Sequence, residues 1–68
     1  MYGSIGMNLR ILRLRSNLKQ REVAAGTGIS LHPISSYERN VNYPRRNNLE
    51  KLAEFYGVKV EEITEENS

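Results

Sequence analysis

Residues 20–39 run QREVAAGTGISLHPISSYER, from Gln20 to Arg39. The middle of this segment, Gly26-Thr27-Gly28, is the strongest turn signal in the chain, because glycine takes a positive φ at little steric cost. A short helix is expected before it, over residues 19–25, with Val23 and Ala24 on its inner side. A second helix is expected after it. Ser30 is a suitable N-cap whose side-chain oxygen would take an orphan backbone N–H. Pro33 then falls in the first turn, where its missing N–H breaks no intrahelical bond. Ile34 and Tyr37, three apart, turn toward the core, which leaves Leu31, His32, Ser35 and Ser36 on the outward face. Ala24 and Gly28 are the small residues that let the two helices cross closely.

Working outward, apolar residues recur at helical spacing on both sides. Residues 5–16 place Ile5, Leu9, Leu12 and Ser16 on one stripe, with Ser4 as N-cap, while Ile11 and Leu14 fall off it. Leu18 closes the corner before the second helix. A loop is signalled over residues 40–44 by two Asn and a Pro, and a fourth helix over residues 46–56 carries Leu49, Leu52, Ala53 and Tyr56 on its apolar side. Gly57 is placed to end it, and a short fifth helix over residues 60–65 presents Val60 and Ile63. No segment alternates with a period of two. The expected fold is all-α, five short helices in one compact domain over residues 5–65, with tails at 1–4 and 66–68.

Sixty-eight residues leave room for one domain and a limited core. The chain has no Cys and one His, His32, so disulfides, thiolate metal sites and His-only metal sites are not expected. No cofactor is expected either. There is no apolar run of the ~20 residues needed to span a bilayer, and no signal-peptide pattern at the start. A cytoplasmic protein is expected, nucleoid-associated when bound. No nucleophile–base pair and no phosphate-cradling Gly-rich loop stands out, which argues against an enzyme. Net charge is +2, but it is unevenly distributed. Residues 1–49 carry eight basic side chains against two acidic ones, and residues 50–68 carry two against six. One end can attract a polyanion that the other repels; a solvated surface of mixed charge is the alternative.

Two short helices joined by a Gly-containing turn are the helix-turn-helix signature. From Ile5 to Ile63 the chain resembles the lambda-repressor-like, Xre-type helix-turn-helix regulators. The resemblance is carried by Ile5-Gly6, Arg13, Leu18-Lys19-Gln20-Arg21-Glu22-Val23-Ala24, Gly28-Ile29-Ser30, Ile34-Ser35-Ser36-Tyr37-Glu38-Arg39, Pro44 and residues 49–58 (LEKLAEFYGV). Within the family it looks most like repressors of prophages and mobile elements. The resemblance implies that Gln20 grips a phosphate and braces the recognition helix, and that Leu31, His32, Ser35 and Ser36 touch base edges. It implies that Arg13 and Glu38 form a buried pair. It also implies that the loop from Arg39 to Arg46 follows the DNA backbone, with Asn42, Tyr43, Arg45 and Arg46 as further phosphate contacts and Arg45 toward the minor groove. Lys19 stands where Ser or Thr is usual, weakening a cap while adding charge, with Arg21 beside it. Leu31 and Pro33 replace polar residues, Arg46 an apolar one, and Asn40 a glycine.

The function expected on this basis is a sequence-specific DNA-binding transcriptional regulator of the repressor type. It would bind double-stranded DNA as a homodimer on a partly palindromic operator, with Phe55, Tyr56, Val58, Val60 and Ile63 at the dimer surface. The alternative is an antitoxin-like or anti-regulator module on the same fold, holding an unidentified protein partner with the acidic last third.

Overall fold

The computed structural model describes residues 5–65; the N-cap role expected of Ser4 and the two terminal tails lie outside them. The order is α1 (Ile5–Arg15), α2 (Gln20–Thr27), α3 (Leu31–Glu38), α4 (Arg46–Tyr56) and α5 (Val60–Thr64), with no strand among the described residues. α1 packs on α3 and α5, α2 on α3 and α4, and α4 on α5. The core is built from one to three residues per element: Leu9, Val23, Ile34, Tyr37, Leu49, Leu52, Ala53 and Ile63, with Ile29 supplied by the turn between α2 and α3. Ile5, Leu12 and Leu18 pack against this core, whereas Ser16 is exposed and ends the α1 stripe early. Ile11 and Leu14 face solvent.

The turn forms differently from the expectation. Gly26 and Thr27 continue α2, and only Gly28, at φ 77°, leaves the helical region. Its backbone N–H donates to the Ala24 carbonyl, which closes the helix as a left-handed cap. Thr27 Oγ1 donates to the Val23 carbonyl and accepts from the Ile29 N–H, tying the helix end to the turn. At Gly28 a Cβ would meet nothing, so the close approach expected there is corrected, while Ala24 packs against the core. A separate tight contact stands at Gly26, where a Cβ would run into the Phe55 ring of α4.

The helix starts also depart from simple side-chain caps. Ser30 is the N-cap of α3, yet its hydroxyl makes no capping bond. At α2 and α5 the N-cap is a lysine, which has no side-chain acceptor. There Glu22 Oε1 accepts from the Lys19 N–H at 2.7 Å and Glu62 Oε2 from the Lys59 N–H at 3.0 Å. Gly57, at φ 72°, caps α4 as the sequence suggests.

Candidate nucleic-acid interface

α3 is held by its inner face. Ile34 and Tyr37 are buried in the core, and the Tyr37 hydroxyl accepts from Asn48 Nδ2 at 3.0 Å. The far end of α3 is fixed by Glu38, whose carboxylate accepts from Arg13 Nε (2.7 Å) and Nη2 (3.0 Å) and from Gln20 Nε2 (3.1 Å). Arg13 Nη1 also donates to the Leu18 carbonyl, so a single guanidinium joins α1, the corner before α2 and α3. Hydrogen bonding to Glu38 lifts the Arg13 pKa above its ordinary value, with burial acting in the opposite sense. The Arg13–Glu38 geometry is the bidentate kind that fixes relative orientation. Gln20 braces α3 as the resemblance implies. That bond takes one of its two side-chain N–H groups.

Of the four side chains expected on the outward face, three are accessible. Leu31 is 48 % exposed at the first position of α3, His32 is exposed and Ser35 half-buried. Ser36 is the exception. Only 1 % of it is exposed, because the chain after α3 folds back over it, with the N–H groups of Val41 and Asn42 both donating to its carbonyl. The expected base contact from Ser36 is therefore corrected: the residue seats the following loop. With the Ser30 hydroxyl uncommitted to a cap, the first turn of α3 keeps its free N–H groups at the exposed end.

The basic side chains expected at phosphates all reach solvent. Lys19 and Arg21 stand at the start of α2, Arg39 at the end of α3, and Arg45 and Arg46 at the start of α4. Arg46 Nε lies 3.1 Å from Glu50 Oε2 in an exposed pair, which water screens. Asn42 and Tyr43 are also exposed, and between α3 and α4 a groove of about 500 Å³ is lined by His32, Asn42, Tyr43 and Arg45. Tyr37, Asn47 and Asn48 also line it. The loop is shaped by Asn40, at φ 59°, whose Oδ1 accepts from the Gly6 N–H at 3.1 Å. Asparagine thus takes the left-handed position usual for glycine. Sequence reading missed Asn47, Asn48 and exposed Val41. No local pattern separates a polar residue lining this groove from any other polar helix start.

A short helix pair with one exposed leading edge, beside the exposed cations Lys19, Arg21, Arg39 and Arg45 and the Glu50-paired Arg46, has a counterpart among known proteins. The sequence matches the helix-turn-helix family over residues 9–63. The chain belongs to that family. This helix-turn-helix chain is also similar to the cryptic phage CTXphi transcriptional repressor RstR of Vibrio cholerae, at 37 % identity over 59 residues, 87 % of the chain and 53 % of the relative. It spans about half the length of the curated relative it matches.

The dimer candidates fare unevenly. Ile63 is 0 % exposed and fills the core under α1 and α4, so it has no area left to bury against a second subunit; the expectation for it is corrected. Phe55, Tyr56, Val58 and Val60 are half-buried against the same core, with the Phe55 and Tyr56 rings edge to face at 5.1 Å. Among the described residues no helix is long and apolar enough to cross a membrane, and no group of three His, Cys, Asp or Glu could hold a metal.

Proposed function

We propose that this chain is the DNA-binding part of a transcriptional repressor, which enters the major groove with the N-terminal half of α3 and binds a partly palindromic operator as a homodimer. The observation that carries the reading is the outward edge of α3. Leu31 and His32 stand in solvent while Ile34 and Tyr37 anchor the opposite face, and a groove ~12 Å wide admits such a helix. Leu31, His32 and Ser35 contact bases. Gln20, Lys19, Arg21, Arg39, Asn42, Tyr43, Arg45 and Arg46 contact phosphates. Half-buried Phe55, Tyr56, Val58 and Val60 border the subunit contact. The similarity to a phage transcriptional repressor supports the regulatory sense.

Selection of bound sequences from random DNA, followed by titration of a panel of near-operators, tests this. Arg45→Ala should weaken all sequences alike and reduce the salt slope by about 1, whereas His32→Ala should reorder the panel. An unchanged ranking with His32→Ala, together with sequence-blind binding by the wild type, would remove the major-groove assignment.

A further inference from the structure

The major-groove reading proposed above leaves open what chemistry the α3 edge recognises, and the structure narrows it. Polar groups are scarce along that edge. Ser36 is buried beneath the loop, Ser35 is half-buried, and Pro33 is half-buried and has no N–H to offer. His32 is the one exposed polar side chain within α3 ahead of Ile34. Beside it Leu31 leads the helix with nearly half its surface in water, and it takes no part in the core cluster or in the side chains packed against it. A single exposed leucine is ordinary on a protein surface. A leucine at the tip of the groove-entering helix, flanked by exposed Ser30 and His32 but with Ser35 and Ser36 drawn back on the following turn, has a more specific consequence.

The apolar group that a base pair presents in the major groove is the C5-methyl of thymine. Cytosine carries the same group, at the same ring position, when it is 5-methylated. We infer that Leu31 is a specificity-determining residue that recognises C5-methylated pyrimidines, thymine and 5-methylcytosine alike, by hydrocarbon contact. The discrimination is set by burying one methyl group, an effect of about fourfold in affinity. His32 and the phosphate-facing cations then fix the register in which that contact is made.

The test uses the sequence enriched from random DNA by the whole chain. Each thymine of a half-site is replaced in turn by uracil, which removes the methyl and keeps every hydrogen-bonding group. Dissociation constants are measured for the wild type and for Leu31→Ala, whose folding is checked by its thermal melt; an exposed position should leave the melt unchanged. At one thymine per half-site, uracil should weaken the wild type about fourfold and leave Leu31→Ala unaffected. At that position a 5-methylcytosine–guanine pair should bind the wild type about fourfold more tightly than a cytosine–guanine pair, with no difference for Leu31→Ala. Equal losses for both proteins at every thymine, or no loss at any, would overturn the inference and leave the major-groove reading standing. Failure to enrich any sequence would overturn that reading and this inference with it.

Discussion

Three donors from two other parts of the chain converge on the Glu38 carboxylate, and its side chain is 5 % exposed. Removing one partner of such a pair leaves a charge with no compensation away from water. Glu38→Ala should therefore destabilise the domain by about 3 kcal/mol, lowering the thermal midpoint by roughly 12–24 °C in a circular dichroism melt. Combining Arg13→Met with Glu38→Leu should recover most of that loss, since both charges then disappear together. Tyr56 records the same site from the other side. Burial, and then the negative charge of Glu38, push its phenol up from 10.0 to about 12. The unfolded chain releases this proton at lower pH than the folded one. The stabilisation is thus intact below pH 10.0 and is lost as pH climbs toward about 12. Tyr56→Phe should flatten the fall of the urea midpoint across that window; an unaltered fall would show that other groups dominate it.

At the scale of elements, the two glycines at the end of α2 have separate duties. Gly26 gives room to the Phe55 ring of α4, and Gly28 supplies a left-handed turn into α3. Gly26→Ala should cost about 1–3 kcal/mol through overpacking, and Gly28→Ala at least ~1 kcal/mol through backbone strain. Phe55→Leu separates the two: it should shrink the Gly26→Ala penalty and leave that of Gly28→Ala unchanged. Denaturant unfolding of the single and double variants reads this directly. The helices themselves were largely legible, α4 to the residue, because each carries its apolar side at helical spacing and ends on a glycine or a polar loop. The end of α2 was misplaced because glycine signals both a turn and a tight packing contact, and only the position of Phe55, far along the chain, tells which applies.

Over the whole molecule, charge is divided. The cations of α2, α3 and the start of α4 are exposed, while Glu61, Glu62 and Glu65 gather on and after α5. If Lys19, Arg21, Arg39, Arg45 and Arg46 each neutralise one phosphate, log affinity should fall against log salt with a slope of about −4.5 per subunit. A slope near zero would mean that these side chains only solubilise the surface. Of these five, Arg45 lines the groove beside α3, and the acidic helix packs on α1 and α4.

The all-helical fold, the helix pair around residues 20–39, the Arg13–Glu38 pair and the family were all determined by the order of residues alone. The helices depend on local spacing and the helix pair on a short motif, whereas the Arg13–Glu38 pair, 25 residues apart, followed only from the family resemblance. Tertiary structure alone decided that Ser36 and Ile63 lie inside, that Gly26 is a contact and not a turn, and that Asn48 supports Tyr37. Helical periodicity states only which way a side chain points. Whether water remains there depends on what another part of the chain brings to cover it.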